Sequence, residues 1–163
     1  MLNKIKLENI LFLDVETVPE FENFKDLTPE KQILWAQKSQ YQRKDEYTPE
    51  AFYPRAGIWA EFGKIICISV GHFVFEGQLR KFRMTTFYGK EKTLLLEFNS
   101  LLNQHFNGPR HLLCAHNGKE FDFPFIARRI LIHKIQLPAK LNLYGKKPWE
   151  IPHLDTLELW KFG

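Results

Sequence analysis

The feature that most constrains this chain is the run Asn-Ile-Leu-Phe-Leu-Asp-Val at residues 9–15, which continues into Glu16 and Thr17. Ile10 to Leu13 are continuously apolar rather than alternating, the pattern of a central strand covered on both faces. A fold that accepts such a strand has to place a layer over each face of its sheet. The strand is expected to end on Asp14 and Glu16, and that ending needs a reason. Side chains two apart on a strand share a face, so the two carboxylates stand side by side while Val15 points the other way. Their repulsion can be relieved by protonating one, by pairing both with bases, or by a divalent cation between them.

Residues 19–60 have a different character, polar and punctuated by Pro19, Pro29, Pro49 and Pro54. Two Thr-Pro-Glu tripeptides, at 28–30 and 48–50, carry the signature of a helix start: Thr as cap, Pro at the first helical position, Glu in the first turn. The segment therefore reads as an insertion carrying one or two helices. Beyond it, KIICISVGHFVFEG and QLRKFRMTTFYG form two strand-like runs meeting at Gly77, which predicts a hairpin. In GKEKTLLLEFNSLLNQHFNG, apolar residues recur at 94, 98, 101, 102 and 106 and stop at Asn107-Gly108, which predicts an amphipathic helix with a glycine-type end. HLLCAHN reads as another short buried strand and FDFPFIARRILIHKI as another helix. Strand, insertion, strand, strand, helix, strand, helix is an α/β order with a mixed sheet. At 163 residues and 44% hydrophobic composition, the chain suits one domain over 1–163. No Gly-x-Gly-x-x-Gly follows a strand, which argues against a dinucleotide-binding domain.

Cys67 and Cys114 lie in apolar runs with no Cys-x-x-Cys or His pair at zinc spacing, and read as small buried hydrophobes in a reduced compartment. The N-terminal apolar run is cut by Asp14, so no signal peptide or membrane span is expected, and the cytoplasm is the default. The net charge of +4 is concentrated late, since residues 123–163 hold 7 Lys/Arg against 3 Asp/Glu. Arg128, Arg129, Lys134, Lys140, Lys146 and Lys147 are either phosphate contacts or a solvated face. His72, His105, His111, His133 and His153 stay unassigned, whereas His116 borders a motif and is a candidate site residue or a surface one.

That motif is AHNGKEFDFPFI at 115–126, which places Asp122 at a strand-to-helix junction, where open α/β sheets put their ligand sites. Read locally, Asp122 caps the helix, Pro124 fits its first turn, and Asn117-Gly118 is a turn. Together with Asp14-Val-Glu16-Thr17, however, this segment resembles the first and second motifs of the 3′-5′ exonucleases of the ribonuclease H-like (DEDD) superfamily. The exonuclease domain of family B DNA polymerases and its stand-alone bacterial relatives are the closest pattern. Their Asp-x-Glu falls on Asp14 and Glu16, and their Asn, spacer, Phe/Tyr-Asp falls on Asn117, Phe121 and Asp122.

The resemblance implies a ribonuclease H-like mixed sheet with flanking helices. It also implies a phosphodiester hydrolase that removes nucleoside monophosphates from the 3′ end of single-stranded DNA, with RNA as the other candidate strand. Asp14, Glu16 and Asp122 would hold two Mg²⁺ or Mn²⁺ ions, the hard-oxygen donor set those ions take. Thr17 and Val18 would meet the terminal nucleotide through backbone, Asn117 would position the strand, and Phe121 would pack under the site; Phe123 and Phe125 are expected in the core. The family's fourth carboxylate, with a Tyr four or a His five residues ahead of it, has no counterpart after Asp122, where the only Asp is Asp155. Tyr41-x-x-x-Asp45 has the spacing but precedes the second motif. HLDTLELW resembles the segment ahead of the family domain's last part, so the chain is expected to lack the C-terminal portion of the fold and to be weak or inactive as it stands. The competing readings are a non-catalytic nucleic-acid-binding module of the same fold and an endonuclease of the same superfamily.

Overall fold

The computed structural model describes residues 5–44 and 46–162. They form two compact units, Met1–Glu16 with Ile66–Gly163, and Thr17–Ile65. Five strands, β1 (Ile10–Pro19), β2 (Gly63–Glu76), β3 (Leu79–Tyr88), β4 (Leu112–Ala115) and β5 (Leu154–Asp155), make one sheet in the order β3-β2-β1-β4-β5. The sheet is mixed: β1 with β4 and β4 with β5 are parallel, whereas β2 and β3 pair antiparallel. With its flanking helices it is the α/β architecture expected of a ribonuclease H-like chain.

In the larger unit, β1 buries Ile10, Leu11, Leu13 and Val15. It does not end at the acids, as the sequence had led us to expect, but runs on to Pro19 with Asp14 and Glu16 exposed on one face. The β2–β3 hairpin turns at Gly77, whose φ of 64° is the left-handed geometry a two-residue hairpin loop demands. β3 is the exposed edge, and Arg80, Lys81 and Arg83 along it discourage pairing with another chain. Phe12, Phe73 and Phe82 form an aromatic cluster with centroids 4.9–6.0 Å apart.

Helix α3 (Glu91–His105) buries Leu94, Leu95, Phe98 and Leu102 completely. Its end differs from the expected glycine cap. Phe106, at φ −124°, donates its N–H to the Leu102 carbonyl, and Asn107 Nδ2 donates to the Asn103 carbonyl at 2.7 Å, so a side-chain amide closes the helix. Helix α4 (Asp122–Ile132) ends in a Schellman motif: Lys134 stands at φ 56°, its N–H on the Leu131 carbonyl, with the Ile135 N–H on the Ile130 carbonyl. Arg129, 4% exposed, anchors α4 to α3 through Nε and Nη2 on Glu91 at 2.8 and 2.5 Å. Beyond the expected elements lie β5 and the short helix α5 (Thr156–Lys161). Among the described residues no helix is long and apolar enough to cross a membrane.

The smaller unit contains α1 (Pro29–Arg43) and α2 (Pro49–Phe52), each starting where the Thr-Pro-Glu tripeptides predicted. Thr28 Oγ1 accepts from the Lys31 N–H and Thr48 Oγ1 from the Ala51 N–H, both true side-chain caps. Trp35, fully buried, is ringed by Phe52, Tyr53, Trp59 and Phe62 at centroid distances of 5.3–6.1 Å, and its Nε1 donates to the Pro49 carbonyl at 2.8 Å. Leu27 and Ala56 complete this core. Tyr41 is almost fully exposed, and Asp45 lies outside the described residues.

Candidate functional site: the carboxyl ends of the parallel strands

Register decides which side chains can meet. Ile10 pairs with Leu112, Leu11 with Leu113 and Phe12 with Cys114, so two residues further along the parallel strands come Asp14 and His116. Ala115 pairs with Asp155 in turn. Asp14, midway along β1, is therefore level with His116 just past the end of β4, and Asp155 ends β5 beside them, so the three lie together where β4 and β5 finish, the usual ligand side of a parallel sheet. The turn after β4 then leads into α4.

Asp122 is the first residue of α4, but it does not cap the helix. Phe121 holds the cap position, with no side-chain cap bond. The Asp122 carboxyl is turned inward instead and is 2% exposed. Burial first, and the charge of Asp14 second, push its pKa up to about 6, against the opposing pull of its own and the Val15 backbone N–H. Its Oδ1 is buried with no hydrogen-bond partner among the described residues. A buried carboxylate oxygen without a donor carries a desolvation penalty of about 1–3 kcal/mol. Buried carboxylate oxygens of this kind are commonly satisfied by an ordered water or an ion.

Asp14 and Asp122 thus form an electrostatically coupled pair, one exposed and one buried. Glu16 stays on the exposed face of β1 with Asp14. Among the described residues no three His, Cys, Asp or Glu side chains gather closely enough to hold a metal ion, Asp14, Glu16 and Asp122 included. The donor chemistry nevertheless suits a hard divalent cation: carboxylate oxygens only, one of them buried and unpartnered. Asp14 and Asp122 are the residues that fit it.

Asn117 is half-buried at φ 61°, and its carbonyl accepts the N–H groups of Glu120 and Phe121 at 3.2 and 3.0 Å, closing the turn. Gly118 is required there, because a Cβ would stand 2.4 Å from the Ala115 Cβ and 3.1 Å from the Phe123 ring. Phe121 is half-buried with its ring 5.4 Å from that of Phe125, and Phe123 and Phe125 are core residues as expected. Thr17 and Val18 continue β1 and belong to the smaller unit, where Gly57 approaches the Val18 backbone so closely that a Cβ would be 3.1 Å from it. His116 is exposed, with Nδ1 3.0 Å from Thr156 Oγ1.

Asp155 is the residue that sequence reasoning passed over. Its Oδ1 accepts from the N–H groups of Asn117 and Leu157, each at 2.9 Å, and its Oδ2 from the Lys119 N–H at 3.1 Å. Burial works to raise its pKa, but the backbone donors of Lys119, Asn117, Leu157 and Glu158 outweigh burial and hold it below the ordinary carboxylate value. The Asp155-x-x-Glu158 spacing, a helix-cap signature, was the signal that α5 begins here. His153, 3% exposed and pushed down to about 4 by burial, is a neutral strut: Nδ1 accepts the Leu113 N–H and Nε2 donates to the Lys140 carbonyl.

The basic residues divide into two classes. Arg129 is committed to Glu91, and Lys140 Nζ donates to the Gly108 and His111 carbonyls at 2.7 and 2.6 Å. Arg128, Lys134, Lys146 and Lys147 are exposed. Arg128 and Lys146 line, with Lys119, Phe123, Leu131 and Tyr144, an open groove of about 430 Å³ along α4. Both cysteines are free; Cys114 is buried with its thiol pushed up to about 11, as its hydrophobe reading expects, whereas Cys67 is only half-buried.

No curated protein matches the chain. A family model described as RNase_H superfamily (RNase_H_2) matches residues 56–161, about two thirds of the chain. The matched stretch runs from the aromatic core of the smaller unit through Asn117, Asp122 and Asp155 into α5, while Asp14 and Glu16 precede it. The mixed sheet, its strand order and this match agree, and the chain belongs to the RNase H superfamily.

Proposed function

We propose that this protein is a metal-dependent nuclease, and specifically a 3′-5′ exonuclease that hydrolyses single-stranded DNA to nucleoside monophosphates. The observation that carries the reading is the buried, unpartnered Oδ1 of Asp122 beside the charge of Asp14. Membership of the RNase H superfamily supports nuclease chemistry, and the spacing of Asp14-x-Glu16 and of Asn117 to Asp122 supports the exonuclease assignment.

A divalent Mg²⁺ or Mn²⁺ bound there would activate water and offset negative charge on the attacking and leaving oxygens. Asp14 and Asp122 would hold it, with Glu16 drawn in from the same strand face. Asp122 would hold the cation as a carboxylate, whose charge the cation would offset against the burial and the Asp14 repulsion that raise its pKa. Thr17 and Val18, directly after Glu16, offer backbone groups to the terminal nucleotide. Asn117 offers a side-chain amide to the strand, and Phe121 supports the start of α4 from beneath. The exposed Arg128 and Lys146 suit the phosphates of the same strand.

A second reading, a nucleic-acid-binding module without catalysis, is favoured by the absence of a gathered three-ligand site among the described residues. Digestion separates the two readings. A 5′-labelled single strand incubated with the protein in Mn²⁺ should shorten one nucleotide at a time and release mononucleotides, and chelator or Asp122→Asn should stop it. Binding without shortening would establish the module, and internal cuts giving oligomers would establish an endonuclease.

A further inference from the structure

Asp155 ends a strand only two residues long, and its carboxylate is spent on backbone. Two of its N–H donors, Asn117 and Lys119, lie 38 and 36 residues earlier, on either side of the Asn117-Gly118 peptide. Asn117 itself stands at φ 61°. For a residue with a Cβ, that left-handed conformation is held against a preference for ordinary backbone angles, and Asn is among the few that accept it. The two carbonyl contacts within the turn close it, but they do not fix how the turn sits over the sheet end. Asp155 supplies that fixation from outside the turn. The surrounding bonds join the same two segments: Leu113 N–H to His153 Nδ1, His116 Nδ1 with Thr156 Oγ1, and Lys119 Nζ to Glu158 at 2.6 Å. Where β4 and β5 share only two paired positions, side chains of 153–158 take over the work of the ladder.

We propose that Asp155 is a positioning residue which, by gripping the backbone N–H groups of Asn117 and Lys119, sets the direction of the Asn117 side chain toward a bound single strand. It acts through Asn117 and does not itself touch the strand or a metal ion. The inference rests on the reading of this site as a single-strand nuclease site, with Asn117 as a strand contact.

The test is a double-mutant cycle read as binding of a fluorescent 5′-labelled oligodeoxythymidine, by anisotropy, in chelator so that no strand is cut. Asn117→Gly removes the side chain while keeping the left-handed backbone without strain. It should weaken binding about tenfold, the loss of one hydrogen-bonded contact. Asp155→Asn should weaken binding to a similar extent, and the doubly substituted protein should bind no more weakly than Asn117→Gly alone. Asp155→Ser separates the grip from the helix cap, since a hydroxyl can still accept the Leu157 N–H but cannot span both turn amides. It should behave like Asp155→Asn in binding while keeping α5. A full additional loss on adding Asp155→Asn to Asn117→Gly, or unchanged binding in Asp155→Asn and Asp155→Ser, would overturn the inference and leave the nuclease reading standing. Failure of the parent protein to bind the strand at all would overturn both.

Discussion

Ser39 and Asp122 are both buried polar residues, 0% and 2% exposed, one in each compact unit. Ser39 is fully answered by its surroundings: its hydroxyl donates to the Trp35 carbonyl at 2.7 Å and accepts from Arg43 Nε at 3.0 Å. Asp122 has an oxygen with no donor and an acid beside it. The aromatic core of the smaller unit is fully satisfied, with Trp35 packed on four aromatic rings and its one polar atom paired. The carboxyl ends of the parallel strands are not, and the neighbouring Asp155 makes the contrast sharper. Within one small region Asp155 receives a donor on each oxygen while Asp122 lacks one. A carboxylate satisfied by backbone reads as structure, and one left unsatisfied reads as a site awaiting charge.

The contrast can be broken most strongly at Trp35. Trp35→Ala should destabilise the smaller unit by about 3–5 kcal/mol, because it empties the centre of a close-packed aromatic cluster. Hydrogen exchange of the α1 amides, reaching the free-exchange limit in the mutant, would register it. If α1 kept its protection, the core would not depend on this ring. Next in size, Gly118→Ala should cost about 1–3 kcal/mol, since its Cβ cannot coexist with the Ala115 Cβ at 2.4 Å without backbone movement. Chemical denaturation would show the loss, and an unchanged midpoint would mean the turn shifts freely.

Asp122→Asn should have the opposite sign. A carboxyl whose folded pKa is about 6, above its ordinary 3.8, takes up protons on folding, so its penalty is absent below pH 4, grows toward pH 6 and is complete above. In chelator at pH 8 the substitution should therefore stabilise the protein by about 2 kcal/mol, and near pH 4 it should change nothing. Melting across that pH range measures it, and a mutant less stable at pH 8 would make Asp122 a structural residue. Smallest of all, Asp14→Ala relieves the same repulsion from the exposed side. In chelator its melting should show stability equal to the parent's or higher by less than about 1 kcal/mol, and in Mn²⁺ digestion of a labelled strand should show shortening abolished; a clear loss of stability, or undiminished shortening, would count against a metal-site role.

Much of this was legible in the sequence where local physics decides. The Thr-Pro-Glu caps placed both helix starts of the smaller unit, and the apolar run at 10–13 placed β1 at the centre of the sheet. Asp122 was legible as a candidate, but its inward turn was not, because the local expectation for an acid at a helix start is a cap. That expectation lost to tertiary geometry that puts Phe121 at the cap. The end of α3 was misjudged for a similar reason, since Asn107 satisfies the last turn with its side chain and Gly108 does not adopt a left-handed conformation. β5 escaped notice because two residues are too few to show periodicity, and the grip of Asp155 on the turn because Asn117 and Lys119 lie far away in the chain.

The central claim is that Asp14 and Asp122 form a divalent-cation site, and the most direct measurement is the melting temperature of the protein at pH 8 with and without Mn²⁺. Binding to the folded state alone stabilises by mass action, about 2.7 kcal/mol at a hundred times the dissociation constant. The parent protein should melt higher in Mn²⁺, and Asp122→Asn, though more stable than the parent in chelator, should gain little from the ion. A parent that melts at the same temperature with and without Mn²⁺, or an Asp122→Asn variant that gains as much as the parent, would contradict the account.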